Sequence, residues 1–336
     1  MVDFAIPSSV ISGAAAADSY DLPNYVGELF SLMPQVTPFF TAIGAENGGR
    51  EVSSTDFTWQ VEDGEAASAT KQQLENASVT GDLIIRQSVQ NVVEIHQEAV
   101  DMGYTAQAVT GQLGPLAPHA TLGTVLGDQP VMDPLQRQIN LKIGKIKRDL
   151  EMTFLNGTYN RPTDNTTKRR TRGMVEAVVE HVVDYTNDSM TTLKDSLNTL
   201  LLEMVAPTDE AASAPMIDPV IICNPLQRIR LSSEYTNSGA LAPRDRTVGG
   251  VAIDQIVTDF GTLGLMSDRY LPAGTMLVVD FSVVRPVFLP IPGKGVFFTE
   301  PLAKTGATDA VQIYGEIGLE YGPETYHGKI VLITDP

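Results

Sequence analysis

One stretch, DPLQRQINLKIGKIKRDLEMTFLNG at residues 133–157, constrains the fold more than any other. Leu135, Ile139, Ile143, Ile146, Leu150 and Phe154 recur at steps of three and four, which puts all six on one face of a helix. Asp133 is of the type that caps a helix N-terminus, Pro134 suits the first turn, and Gly157 suits the exit. A helix over 133–156 would span roughly 35 Å, long enough to be the backbone of a flat domain. Gly144 is its weak point, because glycine lowers helix propensity.

Around this helix the pattern changes several times. Residues 1–22 are small, polar and aperiodic, which predicts an extended arm. From Pro23 to Ile43 large apolar residues are interrupted by Pro34 and Pro38, so only short helical turns fit. At Phe57, Trp59 and Val61 the period is two, as in a half-buried strand, and a second extended run follows at Leu83–Val100. The polar stretch between the two runs cannot form a core. The pair therefore predicts a long projecting hairpin of roughly 40 Å, seated on another chain with Phe57 and Trp59 as buried anchors.

Beyond the long helix, the loop GTYNRPTDNTTKRRTRG leads through an apolar run at Met174–Val183 to a second amphipathic helix near Ser189–Val205, striped by Met190, Leu193, Leu197, Leu200 and Met204. The remainder reads as β-rich. Strands are expected at Val220–Cys223, Val251–Thr258, Thr275–Asp280, Val283–Leu289 and Val296–Thr299, with a short helix at Pro225–Ser232. Ala310–Tyr321 and Tyr326–Thr334 read as a closing antiparallel pair around Gly322 and Pro323.

Charge and chemistry exclude several classes. The chain of 336 residues carries 23 cations and 41 acidic residues, a formal charge of −18, which argues against sequence-independent wrapping of nucleic acid. Ten of those cations, against three acids, fall between Arg137 and Arg172, leaving 13 cations and 38 acids elsewhere. Such a basic strip on an acidic body fits subunit-to-subunit complementarity or a solvated helix face. No apolar run approaches a membrane span, and the first residues show no basic export signal. A single cysteine, Cys223, forbids an intramolecular disulfide and follows three aliphatic residues, as a core residue would. The four histidines are scattered without metal-ligand spacing, and His96, between Glu94 and Glu98, reads as a solvated or interface residue. Gly293-Lys294-Gly295 lacks the rest of a phosphate loop. No catalytic residue, cofactor site or metal site is expected.

Taken together, Pro23-Asn24-Tyr25, Pro38-Phe39-Phe40, Phe57-Thr58-Trp59-Gln60, NVVEIHQEAVDMGYTAQAV at 91–109, Lys147-Arg148-Asp149-Leu150-Glu151 and Arg170-Thr171-Arg172-Gly173 resemble the major capsid proteins of tailed bacteriophages. The resemblance implies an α+β fold of the Hong Kong 97 (Johnson) type, shared with encapsulins. It would comprise an N-terminal arm at 1–49, an extended loop at 50–103, and a peripheral domain at 104–218 with its spine helix at 133–156. An axial domain at 219–300 and return strands at 301–336 would complete it. The implied protein self-assembles through hexamers and pentamers into an icosahedral shell around double-stranded DNA, without specific DNA binding. It would be formed in the host cytoplasm with separate scaffold, portal and decoration proteins. The segment at 110–132 is longer than the family pattern. Candidate subunit-interface residues are Phe57, Trp59, Lys71, Arg148, Lys168, Arg169, Arg170 and Arg172. The alternatives are an encapsulin-type compartment and, from another class, a carbohydrate-binding or glycosidase protein using Trp59.

Overall fold

The strand Pro219–Cys223 is buried along its whole length, and its neighbour Thr275–Asp280 nearly so, because each lies inside a sheet covered on both faces. This is seen in a computed structural model that describes residues 36–62, 72, 74–78, 81, 83–105, 134–164, 166–185, 192–207, 213–237, 241–248, 251–304 and 306–331, with the backbone alone at 134, 236–237, 241–248 and 251–254. The chain divides into two units, residues 1–34 with 105–134 and residues 35–104 with 135–336. The arm at 1–35, Lys71, Asp133 and the whole 110–132 segment lie outside the described residues.

In chain order the elements are α1 (Pro38–Ala42), β1 (Arg50–Glu51), β2 (Asp56–Glu62), β3 (Arg86–Val92), β4 (Glu94–Gly103), α2 (Pro134–Asn156), α3 (Met174–Ala177), β5 (His181–Asp184) and α4 (Leu193–Val205). They continue with β6 (Pro219–Cys223), α5 (Pro225–Asn237), β7 (Leu241–Val248), β8 (Val251–Thr258), β9 (Gly261–Ser267), β10 (Thr275–Asp280), β11 (Arg285–Phe288), β12 (Phe297–Pro301), β13 (Thr308–Glu320) and β14 (Gly328–Val331). Among the described residues there are three sheets. A seven-stranded one runs β5-β14-β10-β6-β9-β8-β7, a five-stranded one runs β1-β11-β13-β12 with β4 on the other side of β13, and β2 pairs with β3 alone.

Period-two alternation explains the double burial of β6. Val220 and Ile222 enter one apolar cluster, with α2 and the five-stranded sheet, while Ile221 and Cys223 enter a second, with α4 and α5. The predicted stripe on α2 is observed: Ile139, Ile146, Leu150 and Phe154 are buried, and Leu135 and Ile143 pack half-buried beside them. On α4 the stripe holds at Leu193, Leu197, Leu200 and Met204, and Met190 lies outside the described residues. The helix starts later than 189, because the Thr192 side chain accepts the Asp195 N–H and caps it.

Four expectations are corrected. The run Leu83–Val100 is not one strand. Val93 donates its N–H to Thr55 O, and the chain changes partner there, from β2 before it to β13 after it. Among the described residues, 310–321 and 326–331 do not pair with each other. Gly322 at φ 71°, Pro323 and a 3₁₀ turn at Glu324–Tyr326 carry the chain from β13 in one sheet to β14 in the other. The short helix at 225–232 extends to Asn237. Strands β7 and β9 were not anticipated, and β9, GTLGLMS, hides its strand character behind two glycines.

A buried acid joins α1 to the rest. Glu151 of α2 is fully buried and accepts the N–H groups of Phe39 at 2.8 Å and Phe40 at 2.6 Å. Burial, together with the neighbouring buried Asp268, pushes its carboxyl well above the usual carboxylate range.

Candidate assembly surface

The clamp loop at 157–173 is held at its neck by two glycines. Gly173 donates its N–H to Gly157 O at 2.8 Å, and a Cβ on Gly173 would lie 2.5 Å from Gly157 N, so only glycine permits the approach. Further out, Asn160 and Arg170 exchange two backbone hydrogen bonds of 3.0 Å. From this frame three arginines reach other elements. Arg161 pairs with Asp56 of β2 at 2.7 Å, Arg169 with Glu316 of β13 at 2.9 Å, and Arg172 Nη1 donates to the Tyr321 hydroxyl at 3.0 Å.

The root of the β2–β3 hairpin is fixed from the other side. Trp59 Nε1 donates to Gly322 O at 2.9 Å and its ring meets Tyr321 edge-on with centroids 4.9 Å apart. Phe57 lies against Gly318, where a Cβ would come within 2.9 Å of the ring. Buried Asn91 donates to Leu319 O at 2.7 Å and accepts the Arg172 N–H at 2.8 Å. Each of these contacts ties the hairpin to β13, to Tyr321 and Gly322 just beyond it, or to the clamp loop.

This placement corrects the reading of Phe57 and Trp59 as anchors on a neighbour. They are 7% and 8% exposed against their own chain, so their apolar area is already covered. Arg169 and Arg172 are likewise engaged within the chain. The basic strip as a whole is also largely paired internally. Lys142 and Lys145 both bind Glu98, the former at 2.8 Å, and Lys147 binds Glu46 at 2.7 Å. The two lysines hold Glu98 below the usual carboxylate range.

Other candidates remain on the surface. Lys168 and Arg170 are exposed, and Arg148 is half-buried on α2. Reading the sequence missed a further feature: Leu83 and Ile85 are 83% and 74% exposed, with Ile84 between them at 44%, just before β3. The signal was present as three consecutive aliphatic residues, but it was absorbed into the predicted strand. Beside β4 lies a cavity of about 1000 Å³, bounded by α2 and the clamp loop, whose lining includes His96, Asp149, Lys168 and Arg170. His96 is buried, not solvated, and burial lowers its pKa to about 4. Buried Cys223 has its thiol pushed up to about 12, the behaviour of a core residue. Among the described residues no group of three His, Cys, Asp or Glu side chains could hold a metal ion, and no helix is long and apolar enough to cross a membrane.

A long helix under a five-stranded sheet, a second sheet buried on both faces and a hairpin rooted between strand and clamp loop together define the Hong Kong 97-type capsid fold. Solved structures share it across nearly the whole chain. The capsid of cyanophage P-SCSP1u matches with a TM-score of 0.57 at 12% identity, covering 94% of each chain. Mycobacterium phage Ogopogo matches at 0.54 and 13%, covering 96% of this chain and 98% of its own. The SrpI encapsulin complex of Synechococcus elongatus PCC 7942 matches at 0.54 and 13%, covering 97% and 98%. No curated protein matches. The chain belongs to the SU10 major capsid protein family, whose family model matches residues 11–334. It is a tailed-phage major capsid protein, a structural component of the virion that assembles with copies of itself into a shell.

Proposed function

We propose that this chain forms hexamers and pentamers that close into an icosahedral shell around double-stranded DNA, and that it performs no chemistry. In this reading the β2–β3 hairpin and the residues beyond it, within 50–103, are the extended loop. Residues 104–218 with 301–336 form the peripheral domain around the spine helix α2, and 219–300 form the axial domain at the symmetry centres. Lys168, Arg170, Arg148 and Lys71 would face neighbouring subunits. The acidic balance would line the interior and let DNA slide during filling, since like charges repel. A separate scaffold, a portal and decoration proteins would join assembly in the host cytoplasm.

One observation carries this reading. The hairpin is locked to its own chain at the root, yet the segment entering β3 leaves Leu83, Ile84 and Ile85 in water. An apolar run this exposed beside the hairpin calls for cover by another subunit. Negative-stain microscopy with size-exclusion chromatography, on the chain expressed with and without its neighbouring genes, tests it. Rings or closed shells are expected, and a persistent monodisperse monomer in both cases would overturn the reading. Shells from the native source that carry cargo protein and no nucleic acid would instead favour the encapsulin-type compartment, whose fold the chain shares.

A further inference from the structure

The cavity beside β4 contains an unfinished polar arrangement. His96 is 9% exposed and lines the cavity, and its Nε2 has no hydrogen-bond partner. The nearest charged atom recorded for it is Glu94 Oε1, at 3.8 Å, beyond hydrogen-bond range. Leaving a buried ring nitrogen unpaired is unfavourable, so a partner brought into the cavity gains from satisfying it.

The other charged groups around the cavity are mostly engaged. Glu94 Oε2 accepts the Thr171 N–H at 3.2 Å, Asp164 turns back on Thr166 at 2.7 Å, and Arg169 is held by Glu316. On β4 and α2 next to it, Glu98 is neutralised by Lys142 and Lys145, and Asp149 feels the charges of Lys145 and Arg148. Lys168 and Arg170 stand exposed on the remaining wall; their charges act on Glu94 and Arg170 Nη1 donates to Thr158 Oγ1 at 3.5 Å, but neither has a carboxylate in ion-pair contact among the described residues. Two cations and a buried imidazole therefore converge on a space of about 1000 Å³, ample for a side chain and the backbone that presents it.

We propose that this cavity receives a carboxylate side chain presented by a second copy of the chain, bound by Lys168, Arg170 and His96. The inference rests on the assembly reading above and names a partner for its basic surface. Copies abut in a shell. Outside the basic strip this sequence carries 38 acids against 13 cations, so a carboxylate is the charged group a neighbouring copy most often offers. Seated there, the carboxylate accepts from Lys168 and Arg170 and gives His96 the acceptor it lacks, and the imidazole gains a proton beside it.

The test is a side-chain-resolving cryo-electron microscopy map of wild-type shells, with salt titrations of shells from three variants. The expected map shows an Asp or Glu of a neighbouring copy within hydrogen-bond distance of His96 and of Lys168 or Arg170. Shells of the Lys168→Glu/Arg170→Glu chain should dissociate at a salt concentration about two-fold lower than wild type, while the unassembled chain melts unchanged, because both side chains are exposed. His96→Leu should weaken the shell in the same direction, and His96→Gln, which keeps a polar hydrogen-bonding head, should restore part of the loss. A cavity holding only water, an adventitious ion or a phosphate of packaged DNA overturns the proposal, as do variant shells as salt-resistant as wild type. A wild-type chain that forms no shell at all overturns the assembly reading on which it rests.

Discussion

The two large sheets meet the same demand, burial of apolar surface, in opposite ways. In the seven-stranded sheet β6 and β10 are covered on both faces, and the residues there are aliphatic almost without interruption. In the five-stranded sheet β4 alternates buried His96 and Val100 with exposed Ile95, Gln97 and Ala99, and much of β13 is half-buried. Its neighbours are held by ion pairs and polar bonds: Glu98 with two lysines, Arg169 with Glu316, Asn91 with the backbone. The central strands of the first sheet, β6 and β10, are covered by their own chain. In the second, β4 and much of β13 stay partly exposed, and the proposed assembly places contacts with neighbouring copies at this strand, the hairpin and the clamp loop.

The contrast is broken most forcefully by truncation in the closed sheet. Ile222→Ala, at a fully buried position, should cost about 3 kcal/mol in denaturant unfolding, whereas Val311→Ala on half-buried β13 should cost less than about 1 kcal/mol. Equal losses would mean that the sheets do not differ as described. Next comes the polar anchor of α1. Glu151→Ala leaves two buried N–H groups unpaired and should cost about 2 kcal/mol, with Glu151→Gln recovering part of it because one acceptor remains.

A smaller effect separates the sheets by pH. His327 is fully buried at the crossing between them, with Nε2 donating to Tyr321 O at 2.6 Å and Nδ1 accepting the Asp280 N–H at 3.2 Å. Burial holds its pKa down to about 4, and the accepting Nδ1 leaves no room for a second proton. Because the unfolded chain protonates this ring first, its contribution is present above the ordinary histidine range and is lost as pH falls toward 4. Melting temperature should therefore drop over that interval, less steeply in His327→Gln. The smallest effect belongs to the surface pairs. Removing Lys142 and Lys145 together should cost under about 1 kcal/mol, less in high salt. Because Glu98 sits below the usual carboxylate range, this contribution is present at neutral pH and disappears as pH falls through its depressed pKa.

The closed parts of the molecule were the legible ones. The stripe on α2, the alternation of β2 and the aliphatic run of β6 each state their burial in a local period, and each is found where the period puts it. What stayed hidden depends on residues far apart in the chain. Nothing near Val93 announces that β3 and β4 take different partners, because the switch is set by Thr55 on one side and β13 on the other. The crossing at Gly322 reads locally as a hairpin turn, and only His327 and Asp280, 47 positions apart, show that the chain passes to the other sheet. The candidate surface was legible in part. The cations of 137–172 were identified as a strip, but their division into paired and unpaired members required Glu46, Asp56, Glu98 and Glu316, which the sequence scatters.

Hydrogen–deuterium exchange on the same chain, unassembled and in closed shells, tests the central claim most directly. The account predicts slow exchange in β6 and β10 in both states, and slowing on assembly in β4, in residues 83–92 and in the clamp loop. Uniform slowing across both sheets, or unchanged exchange in β4 and the clamp loop, would contradict it.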